Sequence, residues 1–126
     1  MTKSAITTVN APAAIGPYSQ AIKSNGTVYV SGQLPIDPST GEFAQGGIQD
    51  QARQSLTNIS NILAEAGLTM DSVCKVTVLL ADIRDFAAVN EVYQEFFSAP
   101  YPARSAFAVA ALPKGAAIEI EAIATL

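Results

Sequence analysis

Two segments with helical spacing flank one apolar, strand-like segment, and this alternation constrains the fold more than any other feature. Apolar residues recur at three- and four-residue steps in residues 48–66 and 86–97, which is the period of one helix face. Between them, residues 73–81 are apolar, β-branched and nearly uncharged, which predicts a central strand covered on both faces. The sequence therefore predicts two helices, with Asp50 in the first turn of the first helix and Gly67 at its left-handed end.

Short strand-like segments with turn residues between them lie on both sides of this alternation. Asn25-Gly26 is the pair best able to form a tight hairpin turn. Residues 37–41 and 112–115 read as further turns, and the chain is expected to run irregularly from the first of these to Gly47. The predicted strands are 4–8, 19–23, 27–31, 73–81, 103–110 and 117–126. The order strands, helix, strand, helix, strands predicts an α+β fold, a mixed sheet against two helices, in one domain spanning residues 1–126.

The chain of 126 residues contains no histidine and one cysteine. These absences exclude Ser-His-Asp and Cys-His catalysis and a His-ligated zinc. The acidic residues show no calcium-loop spacing, and neither a Walker loop nor a GxGxxG motif is present. We therefore expect no metal and no cofactor. Cys74 lies within an apolar run, cannot form an intramolecular disulfide, and is expected to be a structural thiol.

The charge balance and the apolar content bear on partners. Seven basic residues against 11 acidic ones give a net charge of -4, which disfavours nucleic acid as a partner. No apolar run reaches the roughly 18 residues that span a bilayer, so no membrane association and a cytoplasmic location are expected. Hydrophobic residues make up 49% of the chain, more than one small domain easily buries, which favours self-association.

Arg104 is the only charged residue between Glu95 and Lys114, and it lies in a strand-like run. A guanidinium can hold a carboxylate through two parallel hydrogen bonds, which fixes its orientation as well as its charge. The pattern alone leaves two other interpretations open. One is an internal ion pair with Glu119 or Glu121, and the other is an edge-strand arginine in solvent.

Glu119 and Glu121 share one face of the last predicted strand, since side chains two residues apart point the same way. That face could be an ordinary solvated surface. If it borders an enclosed pocket instead, burial would raise the pKa of a carboxyl and a nearby arginine would lower it. Such a carboxylate could position or deprotonate a water molecule.

Five further residues were weighed as site candidates. Tyr18 follows Gly-Pro on a loop, where it could serve a site or simply pack. Ser31 ends a strand and is not expected to be a nucleophile without a histidine, whereas Gly32 would allow a ligand or another subunit to approach the backbone closely. Phe86 and Asn90 lie one helical turn apart, and from the pattern alone core packing, helix capping or an ordinary polar surface position is favoured over a role in a site for both.

Five motifs occur along the chain in a fixed order: APAAIGPYSQ at 11–20, SGQLP at 31–35, PARS at 102–105, LPKG at 112–115 and IEIEA at 118–122. Together they resemble the reactive-intermediate deaminase A (RidA/YjgF) family over essentially the whole chain. The resemblance implies a chorismate-mutase-like α+β fold assembled as a homotrimer, with clefts between neighbouring subunits. It also implies a cofactor-free deaminase acting on 2-iminobutanoate, 2-iminopropanoate and reactive intermediates such as 2-aminoacrylate. Pyridoxal-phosphate dehydratases release these compounds, and the products would be 2-keto acids and ammonia.

The resemblance also implies roles for the candidates. Arg104 would clamp the substrate carboxylate, and Glu119 would orient or activate water and assist the leaving ammonia. Backbone groups of Gly32 and Ala106 would contact the substrate. The remaining cleft residues would be Tyr18, Ser31, Phe86 and Asn90.

The chain departs from the family pattern in two places, and two functions other than the deaminase are alternatives. Many bacterial members carry cysteine where this chain has Ala106, and residues 98–101 form a short connection that would reshape the cleft mouth. The first alternative function is a regulatory protein that binds a 2-keto acid without turnover. The second is an endoribonuclease or translation inhibitor, which the acidic charge and the lack of histidine disfavour.

Overall fold

A mixed six-stranded sheet with both long helices on one face positions every candidate residue. The computed structural model describes residues 2–126. The elements are β1 (Ser4–Ile6), β2 (Ala21–Ser24), β3 (Thr27–Gln33), β4 (Ile36–Asp37), β5 (Glu42–Phe43), α1 (Ile48–Glu65), β6 (Val73–Leu80), α2 (Phe86–Phe96), β7 (Ala103–Ala108) and β8 (Ile118–Thr125). The sheet order is β1-β2-β3-β8-β6-β7, and only the β6–β7 pair is parallel. The predicted α+β architecture is confirmed.

The core lies between the helices and one face of the sheet. Helix α1 buries an apolar stripe at helical spacing, as predicted, and its end is marked by Gly67 at φ 77°. The side chains most deeply buried from both layers include Leu56, Ile59, Leu63, Val76, Val78, Val92, Ile118 and Ile120. At roughly 1.5–3 kcal/mol for each large apolar side chain, this burial is the main term that holds the layers together.

The two hairpins differ in how well the sequence predicted them. The β2–β3 turn is the expected one, with Asn25 at φ 50° and Gly26 at φ 77°. The predicted turn at residues 37–41 is confirmed, but the prediction of an irregular segment after it is wrong, because Glu42–Phe43 pairs with Ile36–Asp37 as the β4–β5 hairpin. Each of its strands has two residues, too few for an alternating pattern to be recognised. The turn between them closes with the Gly41 N–H donating to the Asp37 carbonyl at 2.8 Å.

The outer face of the sheet, which points away from the helices, is partly exposed in one copy of the chain. Along β6 the buried residues alternate with Cys74, which is exposed, and with Thr77 and Leu79, which are half-buried. The prediction that this strand is covered on both faces is therefore wrong for a single copy. Cys74 is likewise outside the core, with its sulfur 3.5 Å from the Thr125 hydroxyl.

Candidate active site

Arg104 lies on the edge strand β7, and three side chains of α2 hold its guanidinium in place. Its Nη1 donates to Asn90 Oδ1 at 2.7 Å. The central carbon of the guanidinium lies 4.6 Å from the ring centre of Tyr93 and 5.2 Å from that of Phe86. Two aromatic faces and one amide therefore fix the cation without neutralising it. Ala106, two residues along the same strand, packs against the core on the same side.

Arg104 has no acidic partner among residues 2–126, where the ion pairs involve only Arg53 and Arg84. The register of the sheet explains this. Val76 pairs with Arg104, whereas Leu79 pairs with Glu119, and residues three apart on a strand point to opposite faces. The interpretation that Arg104 forms an internal ion pair with Glu119 or Glu121 is therefore wrong. The guanidinium borders a groove of about 480 Å³ lined by Asn90, Tyr93, Gln94, Tyr101, Pro102 and Arg104.

A β-bulge in β3 lies beside Glu119. Val30 pairs with Ala122 and Gln33 with Ile120, so two residues of β3, Ser31 and Gly32, lie opposite one residue of β8. A bulge of this kind bends a strand and changes the direction of nearby side chains. A Cβ atom built on Gly32 would collide with Oε2 of Glu119. The carboxyl group therefore rests against the backbone of Gly32. Any other residue at position 32 would have a side chain in the space that the carboxyl occupies.

Glu119 is a half-buried carboxyl, and no residue in the described part of the chain forms a hydrogen bond or ion pair with it. Burial raises its pKa, and the charge of Glu121 on the same face raises it further. A carboxylate with a raised pKa is a stronger base than an ordinary one and accepts a proton from water more readily. Its position and its environment both suit acid-base chemistry.

Tyr18 and Ser31 border one groove on the outer face together with Glu121, and Ser31 adjoins Gly32, against which Glu119 rests. The Ser31 hydroxyl donates to the Ser19 carbonyl at 2.6 Å, which ties it into the structure. Tyr18 is 53% exposed. A groove of about 620 Å³ borders Tyr18, Ser31, Tyr29 and Glu121, among other residues.

The predicted site residues thus form two groups that one copy of the chain does not bring together. The Arg104 cluster comprises the predicted Phe86, Asn90, Arg104 and Ala106, together with Tyr93. The Glu119 cluster comprises Glu119 and Gly32, which are in contact, with Ser31 in the same bulge and Tyr18 on the groove that Ser31 borders. The first lies on the helix side of the sheet at the β7 edge, and the second lies on the outer face.

Tyr93 is the contact residue that sequence reasoning missed. Its helical spacing from Phe86 placed it on the apolar face of α2, which is correct since only 4% of it is exposed. Nothing in that spacing revealed that its ring also supports Arg104. Burial raises the pKa of the Tyr93 hydroxyl, with Arg104 opposing the shift, so the ring stays neutral and able to stack on a cation.

Replacing Gly32 with alanine is expected to displace the Glu119 carboxyl, because the new methyl group would occupy the carboxyl's position, and to lower kcat of a reaction that depends on this carboxyl. A misplacement of about 1 Å can cost about 100-fold in rate. Gly47→Ala is the matched control, since no atom lies within 4 Å of its would-be Cβ. Steady-state kinetics on both variants checks this. Equal activity in the two variants would contradict the close approach of Glu119 to Gly32.

Solved structures of other proteins share this fold throughout its length. A putative endoribonuclease L-PSP from Entamoeba histolytica superposes with a TM-score of 0.96 at 51% identity, covering 99% of this chain and 100% of that one. E. coli TdcF with bound serine superposes with a TM-score of 0.93 at 48% identity, covering 98% of each chain. These similarities define the class as small α+β proteins of one common fold, of which at least one member binds a small molecule.

The family model described as Endoribonuclease L-PSP matches residues 8–126. A 2-iminobutanoate/2-iminopropanoate deaminase from Capra hircus is 57% identical over 119 residues, which is 94% of this chain and 87% of that protein. The chain belongs to the endoribonuclease L-PSP family, which is the RidA/YjgF family that the motifs predicted.

The described residues contain no helix with the length and apolarity to cross a bilayer. Within residues 2–126 there is also no group of three or more Asp, Glu, Cys or His side chains arranged to hold a metal ion.

Proposed function

We propose that this chain is an imine deaminase that converts 2-iminobutanoate, 2-iminopropanoate and related intermediates such as 2-aminoacrylate to 2-keto acids and ammonia. The observation that carries this proposal is Arg104, a fixed guanidinium without an internal acidic partner. Relatives at 53–57% identity are named for this activity, which supports the substrate class. The substrate is a small molecule with a carboxylate, which the Arg104 guanidinium can bind.

The reaction needs only positioning and one carboxylate, because an imine carbon is already electrophilic. Arg104 binds the substrate carboxylate through two parallel hydrogen bonds. The substrate reacts as its protonated iminium. Glu119 takes a proton from water as the water oxygen bonds to the iminium carbon, and the electron pair of the C=N bond moves to nitrogen, which gives a neutral carbinolamine. Glu119 then returns that proton to the nitrogen, the C–N bond breaks with loss of ammonia, and the hydroxyl proton passes to solvent, which leaves the 2-keto acid. Backbone groups of Gly32 and Ala106 contact the substrate.

This mechanism requires two copies of the chain, since the Arg104 cluster and the Glu119 cluster face opposite sides of one sheet. We propose a homotrimer in which each cleft combines the Arg104 cluster of one subunit with the Glu119 cluster of its neighbour. The partly exposed outer face supports this assembly. Its large apolar side chains include Tyr29, Phe107 and Ile123, which are 49%, 47% and 37% exposed, and a second copy would remove them from water.

We further propose that residues 1–126 act as one domain and that the reaction takes place in the cytoplasm, with the dehydratases that release its substrates. Cleavage of RNA, which the family description suggests, is not favoured by this chain. It carries 11 acidic residues against seven basic ones and no histidine, a poor match to a phosphate backbone.

The test is the trapping of 2-iminobutanoate by semicarbazide after a threonine dehydratase generates it. The wild-type chain is expected to suppress trapping in proportion to its concentration. If the chain has no effect on trapping but binds 2-oxobutanoate in a calorimeter, it is a regulatory protein that binds a 2-keto acid, and the proposal of an enzyme is wrong. RNA cleavage that persists through repeated purification and disappears in Arg104→Ala would favour the nuclease instead.

The pH profile gives a second prediction, in which Glu121→Gln moves the acidic limb of kcat/KM to lower pH. The active form of Glu119 is the carboxylate, so activity falls as pH drops through its pKa. Burial is the main cause of the raised pKa and Glu121 is the next; removing the Glu121 charge therefore lowers the pKa without restoring the ordinary value. Rates measured across pH in both proteins check this. An acidic limb that stays in place or moves up contradicts the assignment of Glu119 as the base.

A further inference from the structure

The side-chain amide of Gln20 makes more hydrogen bonds to the backbone than that of any other glutamine in the described residues. It is 3% exposed. Its Oε1 accepts from the Thr8 N–H at 2.7 Å, and its Nε2 donates to the carbonyls of Thr8, Ala11 and Pro12 at 3.0, 3.3 and 2.8 Å. All of these partners lie in the segment that leaves β1. A buried amide is tolerated when it is satisfied, and this one is satisfied entirely by residues 8–12.

This segment is the first half of the irregular connection, residues 7–20, which carries Tyr18. Within the described part of the chain, the only backbone–backbone hydrogen bond inside the connection runs from the Tyr18 N–H to the Gly16 carbonyl at 2.9 Å. Side chains tie down its two ends. Gln20 holds residues 8–12, where Asn61 Nδ2 also donates to the Asn10 carbonyl at 2.9 Å. At the other end, the Ser31 hydroxyl holds Ser19. Residues 13–17 between these ties are mostly exposed.

We propose that Gln20 is a positioning residue of the deaminase, whose amide fixes residues 8–12 so that the connection returns with Tyr18 at the Glu119 cluster. The proposal rests on the proposed function for its kinetic part only. Gln20 is buried beneath the connection and touches no reacting atom, so it acts through Tyr18. Loss of the amide removes four hydrogen bonds from residues 8–12 and leaves the Asn61 bond to Asn10. The connection is loosened at this end, and Tyr18 then samples positions away from the cleft.

Two substitutions of Gln20 separate the hydrogen bonds that its Nε2 donates from the one that its Oε1 accepts. Gln20→Met keeps the length of the side chain and removes every hydrogen bond. Gln20→Glu keeps the acceptor for the Thr8 N–H but sets an oxygen against three carbonyls. Asn58→Leu is the matched control, because Asn58 is fully buried and its amide donates to the carbonyls of Leu34 and Ile36 in a different segment.

The experiment measures hydrogen exchange and imine-hydrolysis kinetics on these variants and on Tyr18→Ala, alone and combined with Gln20→Met. We expect faster exchange confined to residues 8–19 in both Gln20 variants, and not in Asn58→Leu. We expect Gln20→Met to lower kcat/KM to the same degree as Tyr18→Ala, with no additional loss in the double variant. Multiplied losses in the double variant, or faster exchange across the whole sheet, would overturn the proposal.

If a Gln20 variant does not fold, hydrogen exchange in the wild-type protein tests the proposal. The Thr8 amide, which donates to Gln20, must then exchange more slowly than the amides of residues 13–17. Equal exchange across residues 8–17 would overturn it. Because exchange does not depend on activity, a wild-type chain that fails to hydrolyse imines would refute the proposed function and leave the role of Gln20 to be judged separately.

Discussion

Replacing Arg104 with lysine is expected to lower kcat/KM for 2-iminobutanoate by about 10- to 150-fold, with the fold unchanged. Lysine keeps the positive charge but has no planar fork, so it cannot make two parallel hydrogen bonds to a carboxylate or stack against Tyr93 and Phe86. One charge-assisted hydrogen bond is worth about 1.5–3 kcal/mol, which corresponds to this range of rates. Arg104→Ala removes the charge as well and is expected to lose more.

Arg53→Lys is the matched control for this substitution. Arg53 also presents its guanidinium as a fork, here to Glu95 at 3.1 and 2.9 Å, but between the helices and away from both clusters. Its replacement should leave kcat/KM unchanged, since exposed ion pairs contribute little. Full activity in Arg104→Lys, measured by the semicarbazide assay with circular dichroism as a check on folding, would contradict the bidentate clamp.

Replacing Glu119 with glutamine is expected to lower kcat by about 100- to 10,000-fold, which is the usual contribution of a general acid or base. The amide has nearly the same shape, so it can still rest against Gly32 and leave KM almost unchanged. It cannot accept the proton that water loses. A large rise in KM with kcat preserved would mean that Glu119 binds substrate and does not move a proton.

A glutamate elsewhere in the chain serves as the control for charge. Glu42 is exposed on β5, so Glu42→Gln removes one negative charge without touching either cluster. Its kcat and its pH profile should match those of the wild-type chain. Binding of 2-oxobutanoate by Glu119→Gln, measured by calorimetry, would show that the loss is catalytic.

The parts of the fold that the sequence predicted are those encoded locally. Helix α1, its end at Gly67 and the turn at Asn25-Gly26 each follow from a few neighbouring residues whose spacing or backbone preference decides the structure. The β4–β5 hairpin was missed because its strands are too short to show a period. The exposure of Cys74 was missed because the sequence of β6 suits two covered faces, and one copy of the chain supplies only one.

The candidate site was predictable as a set of residues and not as an arrangement. The motifs pointed to Arg104 and Glu119, but the face that each presents depends on how β6 pairs with β7 on one side and β8 on the other. That register is set by contacts between distant segments. The bulge at Ser31-Gly32 has the same origin. Tyr93 was placed correctly on α2, yet its contact with Arg104 depends on where β7 packs.

The most direct test of a shared site is to unfold Arg104→Ala and Glu119→Gln together, refold the equal mixture and measure imine hydrolysis. Each variant alone should be nearly inactive. With random assembly, about one cleft in four combines an intact Arg104 from one copy with an intact Glu119 from its neighbour, so the mixture should regain about a quarter of the wild-type rate. A mixture that forms mixed oligomers but stays inactive, or a monomeric wild-type chain with full activity, would contradict an active site built from two copies.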